Sequence, residues 1–172
     1  MTMSCRNIEI KFRTDRSLAQ RLGELGATDA GVLEQRDVFF AVPHGRLKLR
    51  LQPGHVAQLI HYERADAASL RPSDYRIVEI AAGEAAWRLL ASACGERGQV
   101  RKRRHLFLLD NVRIHLDWVE GLGSFVEIEA VVDAAHSEAA CRAAAAGLLA
   151  ALGLDSAPVE PRAYIDLLRP EG

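Results

Sequence analysis

Apolar and polar positions alternate with a period of two along much of the chain, the pattern of strands that show different surroundings on their two faces. Residues 6–13 put Ile8, Ile10 and Phe12 on one side and Asn7, Glu9, Lys11 and Arg13 on the other. Residues 46–51 set Leu47, Leu49 and Leu51 against Arg46, Lys48 and Arg50, and residues 112–119 set Val112, Ile114 and Leu116 against Arg113, His115 and Asp117. Residues 124–132 oppose Val126 and Ile128 to Glu127 and Glu129, and further extended runs cover 35–42, 56–64, 73–80 and 99–108. Pro43-His44-Gly45, Gln52-Pro53-Gly54-His55, Asp110-Asn111 and Gly121-Leu122-Gly123 supply turn chemistry between them, with Asn111 the residue suited to positive φ. Connections this short join antiparallel neighbours, so about eight antiparallel strands are predicted. Helices are predicted over 17–25, 84–94 and 137–152, with Ser17 and Ser137 as N-caps and Gly26, Gly95 and Gly153 as stops. No repeat or linker divides the chain, which reads as a single α+β domain over 1–172.

Composition narrows the class. Of 172 residues, 22 are Lys or Arg and 23 are Asp or Glu, for a net charge of −1. A dedicated nucleic-acid or membrane-surface binder would show a basic excess, so neither partner is expected. Cys5, Cys94 and Cys141 lie far apart and form neither a disulfide framework nor a zinc spacing. With no signal-peptide pattern and no apolar stretch of membrane-spanning length, a cytoplasmic protein is the expectation.

The unusual feature is what stands opposite each apolar face. Glu9 with Lys11, Lys48 with Arg50, Arg113 with Asp117, and Glu127 with Glu129 are same-side pairs, and one of the two faces of 101–104 adds Lys102 and Arg104. An ordinary solvated sheet face with cross-strand ion pairs explains this pattern. So does a concave sheet or barrel whose charges face inward, where they need a charged ligand to be tolerated. Polyphosphate suits the Arg and Lys side chains, and the neighbouring carboxylates then make sense as ligands for Mg²⁺ or Mn²⁺.

In order along the chain, Asn7-Ile8-Glu9-Ile10-Lys11, Arg46-Leu47-Lys48-Leu49-Arg50, the basic run 101–104, Arg113-Ile114-His115-Leu116-Asp117, the 121–129 segment with Glu127 and Glu129, and the 160–168 segment resemble the signatures of the CYTH superfamily. That group, the triphosphate tunnel metalloenzymes, includes class IV adenylyl cyclases, thiamine triphosphatases and inorganic triphosphatases, and the last three segments are most similar to bacterial class IV cyclases. The resemblance implies a closed eight-stranded antiparallel β-barrel with flanking helices and charged faces turned inward. It implies Glu9, Asp117, Glu127 and Glu129 as metal ligands, and Lys11, Lys48, Arg50, Lys102, Arg104 and Arg113 as triphosphate-binding residues, with Arg64 joining them if its strand turns Glu63 outward. Lys11, Arg113 and Glu127 are the implied catalytic residues. The implied reaction is a lyase step, ATP to cyclic AMP and pyrophosphate. A hydrolase acting on thiamine triphosphate or another triphosphate is the alternative, and a non-catalytic nucleotide or polyphosphate binder is a third reading. Asn7 stands where the ExExK signature has its first Glu, so one ligand there is neutral. The oligomeric state, a homodimer among the options, is left open.

Other features are less specific. Half of the 101–104 charges would face away from any one ligand, and no aromatic platform accompanies them, which argues against a nucleic-acid patch. His115 suits either a general base or a hydrogen-bonded wall residue, and Tyr164 and Arg162 either close a tunnel mouth or belong to a packed tail. Trp87 and Trp118 read as packing residues. No Ser/His/Asp order, Walker loop or Rossmann glycine pattern occurs.

Overall fold

A computed structural model describes residues 3–168. Eight strands, β1 (Met3–Arg13), β2 (Thr28–Phe40), β3 (Arg46–Leu51), β4 (Ala57–Arg64), β5 (Arg71–Ile80), β6 (Glu96–Leu109), β7 (Val112–Val119) and β8 (Gly123–Val132), close into a barrel in the order β1-β5-β4-β3-β2-β6-β7-β8. Every neighbouring pair is antiparallel, and β8 returns to β1 with Lys11 opposite Glu127 and Glu9 opposite Glu129.

Several strands start earlier than their alternation suggests: β1 at Met3 rather than 6, β2 at Thr28 rather than 35, β5 at Arg71 rather than 73, β6 at Glu96 rather than 99, and β8 at Gly123 rather than 124. In β2 the reason is a register shift between Asp29 and Val32, where Gly31 has φ 89° and its N–H donates to Asp29 Oδ1 at 2.8 Å. A bulge of this kind breaks the period of two and bends the strand. At the β6–β7 turn it is Asp110, not Asn111, that takes positive φ, at 50°. Asn111 instead donates its side-chain N–H to the Val131 carbonyl at 2.9 Å.

Helices α1 (Ala19–Glu24), α2 (Gly83–Cys94), α3 (Glu138–Leu152) and α4 (Tyr164–Leu168) sit on the barrel's outside and at one end. Ser137 caps α3 by accepting the Ala140 N–H at 3.2 Å, and Gly153 ends it in the left-handed conformation. Ser17 does not cap α1, whose N-cap position is Leu18. The tail segment that forms α4 carries no helical period long enough to read from sequence.

The apolar faces point outward. Ile8, Ile10 and Phe12 of β1, Ile114 of β7 and Val126 and Ile128 of β8 pack under α1 and α3, against Leu22, Cys141, Ala145 and Leu149. Val38 and Phe40 of β2 and Leu49 of β3 pack under α2, beside Trp87 and Leu90. A third cluster, Phe39, Val100, Val119 and Phe125 with Tyr164 and Ile165, ties α4 to the end of the barrel. Fully burying one such side chain contributes roughly 1.5–3 kcal/mol, so the helices supply the apolar core that the barrel interior does not. Trp87 packs as expected, whereas Trp118 is 55% exposed and is not a core residue. Among the described residues no helix is long and apolar enough to cross a membrane.

Candidate active site

Because the apolar faces lie under the helices, the opposite faces fill the barrel. Glu9 and Lys11 from β1, Lys48 and Arg50 from β3, Arg64 from β4, Lys102 and Arg104 from β6, Arg113 from β7, and Glu127 and Glu129 from β8 all line one cavity of about 310 Å³. Asp117 from β7 lies in contact with this group and is 2% exposed. The basic run resolves by simple alternation, with Lys102 and Arg104 buried and Arg101 and Arg103 exposed. Arg64 turns inward and Glu63 is exposed.

Two residues of the interior carry no single-motif signal. Asp37 of β2 is 2% exposed and accepts from Arg50 at 2.8 and 2.9 Å and from Lys48 at 2.9 Å, with Lys102 Nζ at 3.8 Å. Burial opposes its charge, but Arg50 and the two lysines outweigh burial and hold the carboxyl well below its ordinary range. Arg71 of β5, also 2% exposed, lies 3.6 Å from Glu9, and its Nε and Nη2 have no hydrogen-bond partner. Alternation at Gln35-Asp37 was readable, but the run Val38-Phe39-Phe40 that follows is apolar on both faces and blurs it. Arg71 precedes Pro72, outside the predicted strand.

A second ion group surrounds Asp117. Arg104 donates to it through Nε at 2.7 Å and Nη2 at 2.6 Å, and also to Glu127 at 2.9 Å. The Tyr164 hydroxyl donates to Asp117 at 3.0 Å. Against burial, Arg104 and Lys102 hold Asp117 at about 2. Glu9 accepts from Arg64 at 2.8 Å, yet burial and the nearby Glu127 charge raise its pKa. Burial, reinforced by Arg104 at Lys102, pushes Lys102 down to about 7, and burial likewise lowers Lys11 to about 8. Even with carboxylates nearby, burial leaves both lysines easier to deprotonate than usual, and a further anion beside them would favour their charged form.

All four metal ligands expected from the sequence are ion-paired, and two of them also approach His115. Glu9 and Asp117 are held in ion pairs with Arg64 and Arg104. Glu127, paired with Arg104 at 2.9 Å, and Glu129, paired with Arg113 at 3.0 Å, also converge with His115, the three offering ligand atoms within 4.8 Å of one another. His115 Nδ1 is buried without a hydrogen-bond partner. Burial first, then Arg104, depresses its pKa, so the ring favours its neutral, lone-pair-bearing form. An orphaned donor atom facing two carboxylates fits a divalent cation. Asn7 lies beside this group with its oxygen engaged by the Tyr75 hydroxyl at 3.3 Å and its N–H₂ donating to Glu129 at 3.3 Å.

The tail closes one end. Lys11 Nζ donates to the Arg162 carbonyl and sits 4.2 Å from the Tyr164 ring centre, and Tyr164 stacks edge-on against Phe125 at 4.9 Å. Of the two tail residues considered from sequence, Tyr164 closes the mouth with its ring, and Arg162 with its backbone only, its side chain being half exposed.

A closed barrel with helices on its outside and eight cations facing five carboxylates within defines a polyanion-binding interior. The chain belongs to the CYTH domain family, whose model matches residues 6–164. No curated protein matches the sequence. Among solved structures, a protein of Pyrococcus horikoshii OT3 is 29% identical with a TM-score of 0.82, over 94% of this chain and 98% of that one. A candidate adenylate cyclase from Vibrio parahaemolyticus is 21% identical, TM-score 0.74, over 94% and 97%. A candidate adenylyl cyclase from Hippeastrum, described as having a dominant triphosphatase activity, is 17% identical, TM-score 0.66, over 96% and 95%.

Proposed function

We propose that this chain is a divalent-cation-dependent enzyme that draws a triphosphate into the barrel and cyclises ATP to cyclic AMP and pyrophosphate. The observation that carries this reading is the composition of the cavity: an excess of cations over carboxylates along its wall, together with a Glu127–Glu129–His115 group whose His115 Nδ1 has no hydrogen-bond partner. An ordinary protein does not bury this many cations without a matching anion, because each uncompensated buried ion costs several kcal/mol.

Each residue then has a role. Lys48 and Arg50, aligned by Asp37, with Lys102, Arg104 and Arg64 hold phosphate oxygens. Lys11 and Arg113 neutralise charge at the reacting phosphorus and on the departing pyrophosphate. Glu127 and Glu129 hold the cation, with Glu9 and Asp117 able to turn toward it once the phosphates draw Arg64 and Arg104 away. When bound, the metal supplies Lewis-acid charge neutralisation at the phosphate chain. The protein's contribution is positioning: the chain is fixed so that the ribose 3′ oxygen approaches the α-phosphorus in line, among donors that need no reorganisation.

A second reading, hydrolysis of the terminal phosphoryl group, uses the same apparatus and is favoured by the triphosphatase activity of the Hippeastrum relative. Phosphorus NMR of ATP and of tripolyphosphate, each incubated with the protein and Mg²⁺ or Mn²⁺, separates the two. Cyclic AMP with pyrophosphate supports the cyclase. ADP, or pyrophosphate, with orthophosphate supports the hydrolase and overturns the cyclase. Binding without turnover of either compound makes the protein a polyphosphate sensor and overturns both.

A further inference from the structure

The metal-binding group is not built from carboxylates alone. His115 Nδ1 lies between the two acids, 3.5 Å from Glu127 Oε2 and 3.8 Å from Glu129 Oε1. Strand register creates this: His115 lies directly opposite Glu127 across β7–β8, and Glu129 follows two residues on, on the same inward face. The three groups offer ligand atoms within 4.8 Å of one another, and Glu127 Oε2, the oxygen nearest the ring, also accepts from Arg104 at 2.9 Å. Arg113 and Asn7 both engage Glu129 through Oε2, so Oε1 is the oxygen turned toward His115. The ring is 4% exposed, and Nδ1 finds no hydrogen bond inside the protein. A structural histidine in a polar wall would use that nitrogen, since buried polar atoms are almost always partnered.

Resting on the reading that this cavity takes a metal–triphosphate, we propose that His115 Nδ1 is a metal ligand beside Glu127 and Glu129, and that it makes the site selective for Mn²⁺ and its transition-metal neighbours over Mg²⁺. Mg²⁺ takes oxygen ligands and gains little from imidazole. First-row transition cations bind mixed nitrogen–oxygen sets more strongly, in the order that rises from Mn²⁺. A third carboxylate at position 115 would be hard and negatively charged. The imidazole is softer and neutral, so it changes which cation the site prefers without adding to the charge already present.

The test uses Mn²⁺ as a probe, in the presence of tripolyphosphate. Pulsed EPR of the wild-type protein should show hyperfine coupling from an imidazole nitrogen. In His115→Asn, which offers an oxygen where Nδ1 stood, that coupling should vanish. The ratio of Mn²⁺ to Mg²⁺ affinity, read by calorimetry, should then fall by about tenfold or more. Mn²⁺ bound to the wild type with no nitrogen coupling, or an unchanged affinity ratio in a folded variant, overturns the assignment. Should the variant not fold, the wild-type spectrum decides alone. Uncoupled Mn²⁺ together with turnover removes His115 as a ligand and leaves the proposed function standing. A wild-type protein that takes up neither cation with tripolyphosphate removes both.

Discussion

Asp37 gathers three cations of the barrel interior, and replacing it with Asn separates folding from ligand binding. The substitution keeps volume and removes one charge from a site where Arg50, Lys48 and Lys102 all lie within 3.8 Å. Removing one partner of a buried ion group and leaving the others uncompensated costs about 3–5 kcal/mol. For a domain of this size each kcal/mol shifts Tm by roughly 2–4 °C, so Asp37→Asn should melt about 6–20 °C lower than the wild type. The stranded cations are the ones assigned to phosphate, so the defect should be conditional. Tripolyphosphate replaces the missing negative charge, and its stabilisation, read by differential scanning fluorimetry in metal-free buffer, should be larger in the variant than in the wild type. At about a thousandfold excess over Kd a ligand stabilises by about 4 kcal/mol, which makes the comparison easy to resolve. Equal ligand-induced shifts in the two proteins would show that these cations do not meet the phosphates. An unchanged Tm would show that Asp37 does not hold them.

Other outcomes follow from the same interior. Lys102 at about 7 and Lys11 at about 8 are both depressed by burial, so at pH 8 the empty folded protein binds fewer protons than the unfolded chain. Its stability should therefore rise with pH above about 7, and tripolyphosphate should drive uptake of about one proton at pH 8, measured by calorimetry in buffers of different ionisation enthalpy; no uptake would contradict the lysine assignment. Asp117 behaves oppositely. Held at about 2 by Arg104 and Lys102, its contribution is present above the ordinary aspartate value and is lost as pH falls from about 4 toward about 2, which an acid-unfolding curve of Asp117→Asn, flattened in that window, should reveal. Glu127→Gln should cut turnover at least about a hundredfold while leaving the circular dichroism spectrum intact. Tyr164→Phe, which removes the 3.0 Å bond to Asp117, should cost about 1 kcal/mol in a urea melt.

Much of this was legible in the chain because a barrel with a charged interior writes itself as alternation. Wherever one face packed under a helix and the other met the cavity, as in Ile8 to Arg13 or Val112 to Asp117, both the strand and the direction of its charges could be read. The reading weakened where the two faces became alike. Phe39 faces inward to meet the α4 plug while Val38 and Phe40 face outward under α2, so Asp37 sat beside an uninterrupted apolar run. Early β2 was hidden by the Gly31 bulge, and Arg71 by the proline beside it. His115 was visible but ambiguous. Sequence places it between Arg113 and Asp117, whereas its meaning comes from the strand across from it, where Glu127 stands in register. Asn7 shows the reverse case: the substitution was plain, but only its bonds to Tyr75 and Glu129 reveal a wall residue knitted into the acid group.

The central claim is that a metal–triphosphate lies inside the barrel. A crystal of the protein soaked with tripolyphosphate and Mn²⁺, with data collected at the manganese absorption edge, tests it directly. The expected result is an anomalous peak between Glu127, Glu129 and His115, with the phosphate chain running from it along Lys102, Lys48 and Arg50. Manganese and phosphate on the outer surface, with the interior ion pairs of Asp37 and Asp117 undisturbed, would contradict it.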